Sequence, residues 1–340
     1  MNKSLSAFDL SQHSQSSNDS CLLTSHAVWD LTSIFTLFQF FITLTVNTAV
    51  LLVFAVRRSL WTPFNVYLFN LLVANVLYCL TSNIFDVLHA FYPVFCFGRA
   101  LCNLNMYGMW VVTLVQMLSH PLIALNRLWA LWLPISYHNH LTIRTAVGLS
   151  GIVWLIAHCV ALPGLIMDIA FYRQAEDQFG CNINFDASRG QKTWLILIQF
   201  FSMMCLLIVL AAYPLIYHKE RHRKKVRSTK PTATPATEVS TNPVKRMSKE
   251  IAVTLSLHHN PRRSRAFLLL TVLTISVFIN WTTGVFYYFS QPFTGYSNPI
   301  LDSVTQYTFT IQVVADPVLF ALALKSVRTA IIDIVCSCRA

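Results

Sequence analysis

The sequence predicts an all-α membrane protein: a bundle of seven transmembrane helices with the N-terminus outside, the C-terminus inside and a short amphipathic eighth helix. Three observations support this fold class, namely the composition, the apolar segments and the distribution of basic residues. Of the 340 residues, 55% are hydrophobic and 11% are charged, whereas about 25% of the residues in ordinary soluble domains are charged. The composition is therefore typical of a chain that crosses lipid.

Seven apolar segments are each long enough to cross the bilayer core, which requires about 20 helical residues. Lipid offers no water to backbone polar groups, and the segments are too long for barrel strands of about 10 residues, so helices are predicted. The predicted spans are residues 31–56, 64–91, 101–133, 145–166, 194–217, 266–290 and 300–324. They form one domain, and their odd number places the two ends of the chain on opposite sides.

The basic residues indicate which side is which. One side carries Arg57, Arg58, Arg127, Arg144, the segment 219–265 and Lys325, Arg328 and Arg339, whereas the other carries Lys3, Arg99, Arg173, Arg189 and Lys192. Because Lys and Arg are retained in cytoplasmic loops, the first group is predicted to be cytoplasmic. Loops that face anionic membrane lipid also explain the net charge of +11, so nucleic acid is not required as a partner.

Residues 1–30 are predicted to form an extracellular tail. This segment is polar and rich in serine, without the pattern of a cleaved signal peptide, so the first span is expected to act as the targeting signal. Asn2 and Asn18 each begin an acceptor triplet for N-glycosylation.

Two cytoplasmic segments follow. Residues 220–265 are basic and rich in Ser, Thr and Pro, and this composition predicts a flexible third cytoplasmic loop. In residues 325–340, apolar residues at helical spacing predict an amphipathic helix on the inner leaflet. Cys336 and Cys338 lie at its end, where either S-acylation or free cytosolic thiols fit the location.

A series of motifs then appears in register along the spans. "FCFGRALC" ends at Cys102, and the third span later contains Asn126-Arg127-Leu128 followed by Pro134 and Tyr137. The remaining positions are Asn75, Trp154, Pro163, Cys181, Tyr213, Trp281 and Asp316-Pro317-Val318-Leu319-Phe320. Together they resemble the motifs of rhodopsin-like (class A) G-protein-coupled receptors, over residues 31 to 338. The resemblance implies an extracellular ligand, a heterotrimeric G protein, arrestin and kinases as partners, and no enzymatic activity.

The resemblance assigns Arg127 to the contact with the G protein, together with Asn126, Leu128, Tyr213, Trp281, Asp316, Pro317 and Phe320 as switch residues. Here the neighbour of Arg127 is the neutral Asn126, where the family pattern has an aspartate. The start of the sixth span is basic rather than acidic. Two ionic restraints on the inactive state are therefore missing, which predicts basal signalling unless packing supplies the restraint.

Further departures concern the core of the bundle. The family carries its acid in the second span, whereas this chain has Asn75 there and Asp316 in the seventh span. A contact between this carboxylate and amide is expected, with either a sodium ion nearby or the larger Gln116 filling the ion pocket. His120 is expected to be packed and hydrogen-bonded, and no metal site is predicted.

The cysteines divide by compartment. The resemblance implies a disulfide between Cys102 and Cys181, and both positions face an oxidising space. Cys21 and Cys96 are also predicted to be outside, where a second bridge between them is an alternative to free thiols.

For the ligand, the resemblance implies contacts with Met109, Thr113, Trp281, Tyr288, Gln306 and Thr310. Retinal is disfavoured because the seventh span has no lysine, and amines are disfavoured because Met109 stands where amine receptors carry an aspartate. The mixed charges of the second extracellular loop favour a peptide, with a lipid or another small molecule as the alternative. A receptor-like scaffold without G-protein coupling also remains open, and a membrane enzyme or transporter ranks below it.

Overall fold

The computed structural model describes residues 27–92, 98–173, 181–183, 187–228, 261–294 and 298–337, and all regular structure within them is helical. Each predicted span corresponds to a helix. In chain order, the first to seventh spans are Leu31–Val56, Pro63–Phe91, Arg99–Trp132, Ile143–Tyr172, Arg189–Ser228, Pro261–Thr294 and Pro299–Ala323. Two shorter helices, Pro134–His140 and Lys325–Ser337, follow the third and seventh spans.

The described helices meet the length and apolarity expected of membrane spans in most cases. The first five spans qualify, the fifth over Arg189–Lys219. The seventh span also qualifies if Ile300–Leu322 is counted together with the following helix, Lys325–Asp333, from which it is bent by 88°. The third span packs against the second, fourth and fifth spans, and the sixth packs against the fifth and seventh.

The segment predicted as a flexible loop is shorter than its composition suggests. The fifth span continues as a helix to Ser228, and the sixth already begins at Pro261. Lys, Arg and Glu are good helix formers, so the basic flanks extend the helices of the two spans. The prediction for 220–265 is therefore corrected at both ends, and residues 229–260 lie outside the described part of the chain.

Helix starts follow from local hydrogen bonds. Asp30 caps the first span, since its carboxylate accepts from the backbone N–H of Ser33 at 2.7 Å. Asn298 accepts from the N–H groups of Ile300 and Leu301 at the start of the seventh span. Hydrogen bonds from Ser33 lower the pKa of the Asp30 carboxyl, because they stabilise its charged form.

Three spans contain a π turn: Cys79–Asn83 in the second, Gly108–Val112 in the third and Asp168–Tyr172 in the fourth. A π turn inserts one extra residue into an α-helix. Since successive helical residues are about 100° apart, side chains beyond each π turn face a direction that the regular helical period does not give.

Close packing between spans depends on three glycines, one of which is Gly284, where an added Cβ would lie 2.5 Å from Cγ2 of Thr305. A Cβ added at Gly164 would lie 1.9 Å from the Trp194 ring, and one at Gly108 would lie 2.3 Å from Thr81 Oγ1. The fourth and fifth spans, and the second and third, therefore approach more closely there than any other residue type permits.

The predicted amphipathic helix is present as Lys325–Ser337. Its apolar face is buried against the first and second spans, with Val327 and Ala330 in a cluster that includes Val53, Phe54 and Leu72. Cys336 is exposed as a free thiol.

Candidate functional site

The guanidinium of Arg127 lies over an aromatic ring near the end of the third span. Its Cζ is 3.3 Å from the centroid of the Phe64 ring, in the first turn of the second span. The neighbouring Asn126 is buried, and its Oδ1 accepts a hydrogen bond from the Tyr137 hydroxyl at 3.3 Å. A cation over an aromatic face is attracted by the ring quadrupole. Phe64 therefore holds Arg127 at a point where the sequence offers no acid.

A chain of amide side chains connects four spans in the core. Gln116 donates to Asn75 at 2.9 Å, Asn75 donates to Asn47 at 2.9 Å, and Asn47 donates to the carbonyl oxygen of Val313 at 3.0 Å. All three amide side chains are buried. Gln116 thus occupies the space beside Asn75. This arrangement matches the second of the two predicted alternatives, in which Gln116 rather than a sodium ion fills the pocket.

The carboxylate of Asp316 has different partners. Its Oδ1 accepts a hydrogen bond from Gln312 at 2.7 Å, and its Oδ2 lies 3.3 Å from Nε2 of His120. Among the described residues, no hydrogen bond joins Asp316 to Asn75. The expected carboxylate–amide pair is therefore not formed directly, because Gln116 reaches Asn75 and His120 approaches the carboxylate instead.

The sixth span joins this group through two neighbouring residues. Asn280 donates to Oε1 of Gln312 at 3.0 Å. Trp281 packs edge-on against the His120 ring, with centroids 4.7 Å apart, and stacks on Phe309 at 6.0 Å. Trp281, His120 and Asp316 consequently form a continuous contact between the third, sixth and seventh spans.

The other predicted switch residues surround these contacts. Tyr213 packs against the buried cluster that contains Trp281 and lies near the Arg127 guanidinium. Phe320 is buried beside Phe64 and Ile123. Arg127, Tyr213, Trp281, Asp316 and Phe320 thus lie along the inner faces of the third, fifth, sixth and seventh spans. Of the other predicted switch residues, Leu128 is half-buried in the third span and Pro317 is buried in the seventh.

A cavity of about 300 Å³ lies between the first, second and seventh spans, at the end of the bundle opposite Arg127. Polar side chains form most of its lining. Asp86 contributes the only carboxylate among the described lining residues, and its Oδ2 is buried without a hydrogen-bond partner. We call this space the Asp86 cavity.

The predicted ligand residues divide into two groups. Gln306 and Thr310 line the Asp86 cavity, whereas the other four do not. Tyr288 donates a hydrogen bond to Asp302 at 2.6 Å, and Trp281 belongs to the core described above. Met109 and Thr113 lie within and directly after a π turn, and Met109 is 38% exposed.

A disulfide joins the start of the third span to the segment after the fourth. Cys102 and Cys181 form this bond with their Cα atoms 5.5 Å apart, as predicted. Beside it, the buried carboxylate of Asp168 pairs with the guanidinium of Arg173, which also donates to Asn103 at 3.3 Å. Arg173 is therefore a packing residue here rather than a free charge of the loop.

Comparison with known families identifies the family to which the chain belongs. Residues 46–320 match the family model described as 7 transmembrane receptor (rhodopsin family). The chain belongs to this family. It is a rhodopsin-like (class A) G-protein-coupled receptor, a multi-pass protein of the plasma membrane, and it is not an enzyme.

Individual relatives of this receptor are distant. An alpha-2B adrenergic receptor of Echinops telfairi is 29% identical over 188 residues, which cover 54% of this chain and 47% of the relative. The human 5-hydroxytryptamine receptor 1D is 27% identical over 180 residues, 52% of this chain and 46% of the relative. The human 12-(S)-hydroxy-5,8,10,14-eicosatetraenoic acid receptor is 29% identical over 149 residues, which cover 39% of this chain and 44% of the relative. The chain spans about half the length of the curated relatives it matches.

Several predicted positions lie outside the described residues. They are Asn2, Asn18, Cys21, Cys96 and Cys338, so the second disulfide, the glycosylation sites and one acylation site stay predictions. Three residues of this receptor were not predicted from the sequence: Phe64, Asp86 and Asp168. A signal existed for Asp86, since an ionisable side chain inside a predicted span is a functional candidate by default.

Proposed function

We propose that this receptor transduces the binding of an extracellular ligand to a heterotrimeric G protein, with the Arg127 end of the bundle in the cytoplasm. The observation that carries the proposal is the continuous contact from Trp281 through His120 to Asp316. It joins three spans in the core, between the Asp86 cavity and Arg127. A ligand that displaces one of these spans would change the packing around all of them.

The Arg127 end supports coupling by its chemistry. An arginine at the end of a membrane span is costly and is usually retained for a function. Here Phe64 restrains it through a contact that a small helix movement can break, since cation–π attraction needs the charge within about 6 Å of the ring. The neutral Asn126 adds no ionic restraint, so we expect measurable signalling without ligand.

The comparisons and the cavity support a proposal for the class of ligand. The prediction of a peptide ligand rests partly on Arg173, but this residue is paired with Asp168. It rests also on acidic residues of the second extracellular loop, which lie outside the part of the chain that the structure describes. Two of the relatives are named for small molecules, 5-hydroxytryptamine and a hydroxylated fatty acid. A cavity of about 300 Å³ also matches the lower end of small-molecule pockets. We therefore propose a small molecule, or a peptide that inserts one terminal group.

The test measures basal signalling through reporters for each G-protein class, at matched surface expression. The intact receptor should exceed empty membranes, and Arg127→Ala should abolish the difference. Arg58→Ala is the control, because Arg58 is an exposed arginine predicted on the same side. A receptor that binds a ligand but activates no G protein, with or without Arg127, would instead support the scaffold alternative.

A further inference from the structure

Asp86 is an acid inside the second membrane span, at the cavity that carries its name. It lies in the second span beyond the π turn Cys79–Asn83, its carboxylate faces Gln306, and its Oδ2 is buried without a hydrogen-bond partner. The described lining of the Asp86 cavity contains no lysine or arginine, and its one basic side chain is His89 of the same helix. Asp86 as a whole is half-buried, but a carboxylate with a buried oxygen is destabilising unless it is paired. Such a group inside a membrane span is usually retained for a function.

Two further polar atoms in the same cavity also lack partners. Nε2 of Gln39 and Nδ2 of Asn83 are buried without hydrogen bonds, and both side chains line the cavity. Buried polar groups in proteins are nearly always hydrogen-bonded, so an unpartnered group requires an explanation such as a bound molecule. Three such atoms from the first and second spans converge on one space. Their chemistry is complementary to a molecule with one cationic donor and one or more oxygen acceptors.

We propose that the Asp86 cavity binds the protonated amine of the receptor's ligand, with Asp86 as its counter-ion and the amides of Gln39 and Asn83 as donors to a ligand oxygen. This inference rests on the proposed function and specifies the ligand for it. It also revises the expectation from Met109. The third span carries no charge at that position, and the acid lies in the second span instead.

The size of the cavity limits the ligand. About 300 Å³ accommodates a small hydroxylated amine or the N-terminal residues of a peptide. Both present the same protonated amine to Asp86. A neutral analogue in which a hydroxyl replaces the amine would leave the buried carboxylate unpaired, and truncating one partner of a buried charge pair weakens binding by about 30-fold or more.

The experiment uses the full chain in membranes and two sets of probes. One set contains 5-hydroxytryptamine and related hydroxylated arylethylamines, each with its amine-to-hydroxyl analogue. The other is a peptide library with free N-termini and its N-acetylated counterpart. Binding is measured by thermal stabilisation of the receptor, and signalling is measured separately by the G-protein reporters. Activity in the first set would identify a small amine, and activity only of the free N-termini in the second would identify a peptide.

The expected result is that amine probes stabilise the receptor and their neutral analogues do not. Asp86→Asn should weaken the amine at least 30-fold, whereas Asp86→Glu should retain part of the affinity. Asp302→Asn is the matched control, because Asp302 is another acid at this end of the bundle but does not line the cavity. Asp86→Asn should also raise the melting temperature of the empty receptor, since it removes the unpaired charge.

Three outcomes would overturn the proposal: no cationic probe stabilises the receptor, amines and neutral analogues act equally, or Asp86→Asn leaves the amine affinity unchanged. Basal signalling that depends on Arg127 would survive any of these, so the proposed function would stand. Conversely, amine binding that depends on Asp86 without signalling in any reporter would refute G-protein coupling and retain this site.

Discussion

Replacing Phe64 with leucine should raise the basal signalling of the receptor. The change removes the aromatic ring whose centroid lies 3.3 Å from Cζ of Arg127, while leaving an apolar side chain in its place. Arg127 then loses the contact that holds it in the described conformation. Because Asn126 offers a neutral amide and its Oδ1 is engaged by Tyr137, we expect nearby side chains to replace only part of that restraint.

The size of the effect follows from the cation–π attraction. Such a contact contributes about 2 kcal/mol when the charge is largely desolvated, as it is here, where Nε of Arg127 is buried. If the contact exists only in the inactive state, its loss shifts the equilibrium about 30-fold toward the active state. A receptor with about 1% active molecules at rest would then have about a quarter of them active.

The assay compares reporter signal without ligand for the intact receptor, Phe64→Leu and Phe40→Leu at equal surface expression. Phe40 is a matched control because both phenylalanines are 9% exposed and Phe40 lies in the first span, away from Arg127. The two variants should lose similar packing energy, but only Phe64→Leu should raise the signal. An unchanged signal in Phe64→Leu, or an equal rise in Phe40→Leu, would refute the assigned restraint.

Three other substitutions test further contacts. Gly164→Ala should lower the melting temperature of the purified receptor by overpacking against Trp194, at a cost of about 1–3 kcal/mol. Gly151→Ala in the same helix meets open space and should not lower it; equal effects would contradict the close approach. Arg173→Ala should reduce surface expression, because losing one partner of a buried ion pair costs about 3–5 kcal/mol. Adding Asp168→Asn should recover part of that loss, and no recovery would argue against the pair. Asn126→Asp should lower basal signalling, because it supplies an acid beside Arg127. The same decrease is expected when Asn126→Asp is added to Phe64→Leu. An unchanged reporter signal in both cases would contradict the missing ionic restraint.

The spans and the motif positions could be predicted because each depends on local sequence. Apolar length determines which segments cross lipid, and the first span was predicted with the bounds that the structure shows, Leu31–Val56. The disulfide between Cys102 and Cys181 followed from the resemblance of two short motifs. The extent of the fifth span could not be predicted, because hydropathy indicates where the apolar residues end and not where the helix ends. Helical propensity continues the span to Ser228.

Contacts between spans were harder to predict, because they depend on which side chains meet. The sequence placed an acid, Asp316, and an amide, Asn75, on facing spans and suggested that they touch. The structure gives each a different partner, since Gln116 is long enough to reach Asn75 and His120 approaches Asp316 from the third span. Similarly, the absence of an acid near Arg127 was visible in the sequence, whereas the compensating ring of Phe64 was not.

The direction of Asp86 shows a physical limit of periodicity. Residues 63–78 of the second span follow a regular α-helix, but the π turn Cys79–Asn83 adds one residue before Asp86. One extra residue rotates everything beyond it by about 100° relative to the expected helical face. A helical wheel drawn through the whole span therefore misplaces Asp86, although the composition correctly marks it as an acid inside a membrane helix. The π turn absorbs its additional residue and directs this carboxylate toward Gln306. Deleting one residue of the turn should therefore leave a regular α-helix with Asp86 on the same face, and should retain amine binding and the Arg127 end. Loss of amine binding in this variant would refute the assigned direction of Asp86.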